Sequence, residues 1–204
     1  MAVTFIDPNS EKPPKGSIMC GRGLFTSRQE ILKIYPIHYI GNRAIDDFES
    51  NVITANNEVP SITSSKEGLT LTKMIWGFEG IYNARSETAH AKNLWHNAYY
   101  HNRMIFPLDA FYENTWFTSK QPMAAAGIYR AAPIYTPWPD HFECSMLTTN
   151  SYGVVAENHP RIPVFVHMNE IDSWLSGELD VAELANRHEP LKIRRKKIRL
   201  YEEV

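Results

Sequence analysis

The clearest regular pattern in this chain is an alternation: Leu69, Leu71, Lys73 and Ile75 interleave with Thr70, Thr72, Met74 and Trp76. A period of two sends successive side chains to opposite faces of a pleated backbone, so a strand is expected to run into Trp76-Gly77. Arg103–Tyr112 is almost continuously apolar and aromatic, the pattern of a strand buried on both faces. Met123–Tyr129, Phe142–Thr149 and Arg161–Met168 read as three further strands. Ser27-Arg28-Gln29-Glu30 fits a capping box, which opens a short helix carrying Ile31, Leu32 and Tyr35 and ended by Pro36. Ser86 is expected to cap a helix reaching roughly His101, Asn169 one that holds Trp174 and Leu175, and Asp180 a last one stopped by Pro190. The polar stretch 41–51 reads as loop. Lys192–Arg199 carries six basic residues and reads as a charged edge strand, of the kind that blocks edge-to-edge aggregation. Strands and helices do not alternate regularly, so the pattern points to an α+β fold rather than a doubly wound parallel sheet.

Composition narrows the function. A chain of 204 residues with no internal repeat fits one domain with a substantial core. The formal net charge of −2 advertises no global basic field, so any grip on nucleic-acid phosphates has to come from a local cluster. Two cysteines, Cys20 and Cys144, exclude a disulfide scaffold and fit reduced thiols in the cytoplasm. No apolar run approaches a membrane span, and residues 1–18 lack the charged start and apolar stretch of a signal peptide. With Pro8, Pro13, Pro14 and Gly16 among polar residues, 1–18 reads as a flexible leader. Eight histidines invite a metal, but there is no HExxH and no CxxC pair, so no metal or other cofactor is expected. A phosphate-cradling glycine loop and a GxSxG elbow are absent too.

One dipeptide carries unusual chemistry. In Met19-Cys20, initiation at Met19 followed by methionine removal leaves Cys20 with a free α-amine beside its thiol. An α-amine titrates near about 7.7–8.0 against about 10.4 for lysine, so its neutral, nucleophilic fraction at neutral pH is roughly a few hundred times larger. Such an amine condenses with an aldehyde to an imine, and the thiol on the adjacent carbon closes onto the imine carbon as a five-membered thiazolidine. The second attack is intramolecular and so has a high effective concentration. Three accounts of residues 1–18 are open: Met19 is the true initiator, the leader is removed, or it is retained and Cys20 keeps no free amine.

Four stretches, in order, resemble the SOS response-associated peptidase (SRAP) family. They are Met19-Cys20-Gly21-Arg22; Trp76-Gly77 followed by Asn83-Ala84-Arg85-Ser86-Glu87-Thr88; the run Arg103–Glu113; and Leu147-Thr148-Thr149-Asn150 followed by His159-Pro160-Arg161-Ile162-Pro163. Met104, Ala110 and Asn114 stand where the family usually has Cys, Gly and Trp, and the loop between Trp76 and Asn83 is short. The resemblance implies a single SRAP-like domain over 19–204, with a strongly twisted, mostly antiparallel, barrel-like sheet and flanking short helices. It implies a monomeric sensor of abasic sites in single-stranded DNA, crosslinked to the lesion through Cys20, with no metal and no membrane partner.

The same resemblance makes Glu113 the proton shuttle for imine formation and reversal, and His159 an aid to sugar ring opening. Asn83 can donate and accept hydrogen bonds, which suits it to orient the Cys20 amine or a sugar hydroxyl. Arg22 and Arg85 can grip phosphates bidentately, Trp76 can stack on a base, and Thr148 and Thr149 can offer hydroxyls to phosphate. Taken singly, each has a plainer reading: a buried small hydrophobe for Cys20, an ion pair for Glu113, a core histidine for His159, a turn residue for Asn83, surface ion pairs for the arginines, core packing for Trp76. Two other functions also remain open, a noncovalent single-stranded DNA binder and a cysteine peptidase acting on its own leader.

Overall fold

A computed structural model describes residues 4–5, 21–44, 46–133, 141–194 and 199–200. In chain order the elements are β1 (Thr4–Phe5), β2 (Arg22–Phe25), α1 (Arg28–Ile34), β3 (Ile37–Ile40), β4 (Asn51–Thr54), β5 (Glu58–Ser65), β6 (Gly68–Trp76), β7 (Asn83–Arg85), α2 (Ser86–Ala89), α3 (Asn93–His101) and β8 (Arg103–Glu113). Then follow β9 (Thr115–Thr118), β10 (Met123–Ala131), β11 (Phe142–Asn150), α4 (Gly153–Ala156), β12 (Arg161–Pro163), β13 (Phe165–Val166), α5 (Ile171–Ser176), α6 (Val181–Ala185), β14 (Lys192–Ile193) and β15 (Arg199–Leu200).

The organising element is β8. Its first half pairs antiparallel with β10, from Arg103↔Ile128 to Leu108↔Met123, and touches β5 at Ile62↔Ile105. Beyond it, β10 pairs with β11, β11 runs parallel to the end of β6, and β6 pairs with β5. The path β8–β10–β11–β6–β5–β8 therefore closes on itself as a ring, and closure removes the exposed edges an open sheet would present. The expected α+β fold with a twisted, barrel-like, mostly antiparallel sheet is what forms, with parallel ladders at β11–β6, β11–β7 and β3–β6.

Alternation along the strands sorts two cores. Met104, Phe106 and Leu108 of β8 face Met74, Trp76, Met123, Ala125, Cys144 and Met146. Ile105, Ala124, Ala126 and Ile128 point the other way, into a second core covered by Trp95 and Tyr99 of α3 and Trp174 of α5. Gly127 is required by this packing, because a Cβ there would stand 2.5 Å from the Phe106 ring. Trp174 donates its indole N–H to the Met104 carbonyl at 3.0 Å, and the buried Arg103 guanidinium caps the carbonyls of Tyr99, Trp174 and Leu179.

Several expected helix boundaries shift. Ser27 does cap α1, its Oγ accepting from the Glu30 amide at 3.3 Å, and Asp180 caps α6 by accepting from Ala182 at 2.8 Å. Ser86 does not cap: Arg85 precedes the helix in extended conformation, Ser86 is its first residue, and the expected single helix splits into α2 and α3. Asn169 lies inside a 3-10 turn (Met168–Glu170), so Glu170 rather than Asn169 precedes α5. The last helix ends at Ala185, before Pro190 is reached. Of the basic run, Lys192–Ile193 pairs with Thr118 and Phe117 of β9, Arg199–Leu200 pairs with Thr4–Phe5 inside the expected leader, and 195–198 lie outside the described residues.

Candidate functional site

The C-terminal half of β8 leaves the ring to pair with β2 (Gly23↔Phe111, Leu24↔Ala110) and β9. Chain direction reverses at Asn114, alone between the paired Glu113 and Thr115, with φ of 59°. Asparagine tolerates that left-handed backbone better than most residues. Its side chain also donates to the Asn158 carbonyl at 2.7 Å, tying the turn to the loop before His159. Glu113 is consequently buried although it sits at a strand end, with only 5% of its surface exposed.

His159 meets it there, Nδ1 standing 3.3 Å from Glu113 Oε2. The same nitrogen lies 3.1 Å from the Arg161 carbonyl oxygen and 3.2 Å from the Arg161 amide nitrogen. It therefore has a partner in either state: protonated it donates to a carboxylate or carbonyl, and bare it accepts the amide proton. The loop is fixed from both sides, by the His159 amide on the Val155 carbonyl at 2.9 Å and by Ser151 Oγ donating to the His159 carbonyl at 2.5 Å.

Cys20 lies outside the described residues, but its neighbour does not. Continuing the β2–β8 ladder backward from Gly23↔Phe111 sets Arg22 across from Tyr112 and carries Gly21 toward Glu113. The Arg22 guanidinium lies 5.1 Å from the Tyr112 ring centre, as that register requires. Gly21 accepts from the Ala55 amide at 2.8 Å, and a Cβ on Gly21 would stand 3.0 Å from the Tyr82 ring. Tyr82 immediately precedes Asn83, the buried first residue of β7, which is zipped onto β11 opposite Met146. The segment leading to Cys20, the start of β7 and the end of β8 thus converge.

The DNA-contact residues expected from the sequence divide by exposure. Arg85 is exposed and Arg22 half-buried. Trp76, Thr148 and Thr149 do not fit the contacts expected of them. Trp76 is wholly buried, packs edge-on against Phe25 and Tyr82, and donates its indole N–H to the Tyr82 carbonyl at 2.9 Å. Thr148 is fully buried with its hydroxyl toward the Ala84 carbonyl, and nearly buried Thr149 points its own at Ala185. Core packing, the plainer reading of Trp76, is the one its position supports; its indole holds the Tyr82 backbone rather than a base.

Residues overlooked by sequence reasoning support the site from behind. Tyr82 floors Gly21, Asn114 and Ser151 pin the two loops, and Glu87 pairs with Arg161 at 2.7 Å. Glu87 and Arg161 were visible inside the motif blocks, but nothing in their spacing revealed that they touch. Among the described residues, no three His, Cys, Asp or Glu side chains group as a metal site, and no helix is long and apolar enough to cross a membrane.

Known structures share the architecture. A protein from Bordetella bronchiseptica superposes with a TM-score of 0.72 over 89% of this chain and 100% of its own, at 19% identity. One from Bacteroides thetaiotaomicron gives 0.70 over 86% and 92%, also at 19% identity. In sequence, the chain is 25% identical over 181 residues to the abasic site processing protein YoaM of Bacillus subtilis (strain 168), spanning 78% of this chain and 79% of that one. It is 24% identical over 181 residues to the abasic site processing protein YoqW of Bacillus phage SPbeta, spanning 78% and 80%. Residues 19–202 match the SOS response associated peptidase (SRAP) family, and the chain belongs to that family.

Proposed function

We propose that this protein processes abasic sites in single-stranded DNA by joining itself to them: Cys20, as the N-terminal residue, forms a thiazolidine with the lesion and shields it from strand cleavage. The observation that carries this reading is the buried Glu113–His159 contact of 3.3 Å at the strand end toward which the β2 ladder leads Gly21. The names borne by YoaM and YoqW supply the substrate class.

The chemistry balances without a cofactor. His159 assists opening of the abasic sugar, a proton reaching the ring oxygen as the anomeric hydroxyl loses its own, which frees the C1′ aldehyde. The neutral Cys20 amine adds to C1′, and the carbinolamine loses water to an imine as Glu113 protonates the departing hydroxyl. The Cys20 S–H then adds across C=N: sulfur bonds to C1′ and its proton ends on nitrogen. One water leaves overall, and no electron is gained or lost. Asn83 holds the amine or a sugar hydroxyl, while Arg22 and Arg85 engage the flanking phosphates.

Incubation of the form that starts at Met19, with that methionine removed, with an abasic single strand tests the reading. A DNA-shifted band that survives boiling in denaturant is expected, and Cys20→Ala is expected to abolish it. Failure of the wild-type form to give that band, with noncovalent DNA binding intact, would replace the covalent reading with that of a simple single-stranded DNA binder.

A further inference from the structure

The proposed reaction gives Arg161 and Glu87 no part, yet together they form a two-armed ion pair next to the His159 loop. The Arg161 side chain is 8% exposed. Its Nη1 donates to Glu87 Oε1 at 2.7 Å and Asn150 Oδ1 at 2.9 Å, and its Nη2 to Glu87 Oε2 at 2.7 Å and the Thr148 carbonyl at 2.5 Å. Two parallel N–H···O bonds fix the planes of both groups as well as their separation.

What this pair holds is the backbone of residue 161, and that backbone supplies two of the neighbours of His159 Nδ1, the amide at 3.2 Å and the carbonyl at 3.1 Å, beside Glu113 Oε2. Glu87 belongs to α2, which follows directly on β7 and hence on Asn83. Arg161 opens β12, which pairs with β11 through Asn150↔Arg161. Two backbone segments that bring separate groups to the site are therefore clamped to each other by one carboxylate and one guanidinium.

We propose that Glu87 is a positioning residue: through its two-armed bond to Arg161 it fixes the residue-161 backbone that holds the His159 ring against Glu113. The inference rests on the Glu113–His159 reading of the site but makes its own demand on the free protein.

The test uses Glu87→Gln and Glu87→Asp in the form that starts at Met19, with that methionine removed. The Glu87 side chain is 43% exposed, so both replacements avoid opening a core cavity. Long-range proton–nitrogen NMR of histidine-labelled free protein reads the state of His159 Nδ1 directly. Glu87→Gln is expected to shift and broaden that signal, with Glu87→Asp lying between it and wild type. An unchanged His159 signal in Glu87→Gln overturns the proposal, whether or not the protein crosslinks DNA. With DNA, Glu87→Gln is expected to slow crosslinking at saturating abasic strand by roughly ten- to a hundredfold, the scale of a displaced reacting group. Its affinity for a strand carrying a ring-closed tetrahydrofuran abasic analogue should stay within about twofold, since no phosphate contact is removed. Lost affinity with an unaltered rate constant would assign the pair to DNA binding and overturn the positioning role. Absence of crosslinking in wild type refutes the covalent function and leaves the NMR result to decide this inference alone.

Discussion

At the scale of single residues, exposure separates chemistry from support, and two substitutions make the separation measurable. Trp76 buries an indole with no exposed surface and spends its N–H on the Tyr82 carbonyl. Trp76→Ala is therefore expected to destabilise the fold by about 3–5 kcal/mol, read as a lowered urea midpoint. Arg85 is exposed at the end of β7. Arg85→Ala is expected to leave the urea midpoint almost unchanged and to weaken single-stranded DNA binding at all sequences, reducing the slope of log affinity against log salt by about 0.7. If Arg85→Ala bound DNA as wild type does, the phosphate contact would be assigned wrongly. Both residues lie in the same motif block, and the block alone could not rank them. A tryptophan after a strand reads equally as a stacking platform or as core, and only the third dimension supplied Phe25 and Tyr82 as its neighbours.

Among elements, legibility followed hydrophobic density. Strands β6, β8, β10 and β11 were readable because long apolar or alternating runs leave no other way to bury their side chains. Strand β5 was not, since Glu58–Ser65 has only Val59 and Ile62 as aliphatic members and contains Pro60. It is a strand nonetheless because β6 pairs along its whole length, while β8 pairs with it only at Ile62, so the missing Pro60 N–H costs no bond there. The split between α2 and α3 was equally hidden: Lys92 takes an extended conformation before α3, a break with no proline or glycine to announce it. The Glu87–Arg161 clamp acts at this scale and has a pH signature. Its hydrogen bonds to Arg161 hold the Glu87 carboxyl below its ordinary value of 4.5. A carboxyl that titrates lower in the folded than in the unfolded chain contributes stability above its unfolded value and loses it as pH falls through the folded one. Thermal midpoints of wild type and Glu87→Gln should thus differ at neutral pH and converge in acid below about 4.5. A constant difference across that range would mean the charge of Glu87 contributes nothing through Arg161.

For the whole molecule, ring closure explains how residues far apart in sequence come together at the end of β8. Strand β8 crosses the ring and projects Glu113 beyond it; β11 carries both β7 and β12 on its far half, and β2 joins β8 outside the ring. Glu113 and His159 therefore meet at the end of β8, and Gly21 lies against Tyr82, the residue before Asn83. The four motif blocks gave the order of these segments, whereas the pairing of β7 parallel to β11, which sets Asn83, had no local signal because parallel partners are joined by long connections. One requirement belongs to the chain as a whole: the amine of Cys20 is available only when the Met19–Cys20 bond is absent. A 204-residue chain that keeps its first 19 residues should bind single-stranded DNA yet give no band that survives boiling. Intact mass of that chain, with and without Glu113→Ala, separates the routes to an exposed Cys20. Loss of residues 1–19 in wild type but not in Glu113→Ala would mean that the same buried carboxylate serves self-cleavage, as the peptidase in the family's description suggests. Retention in both forms would assign exposure of Cys20 to initiation at Met19 or to another protease, and self-processing would be discarded.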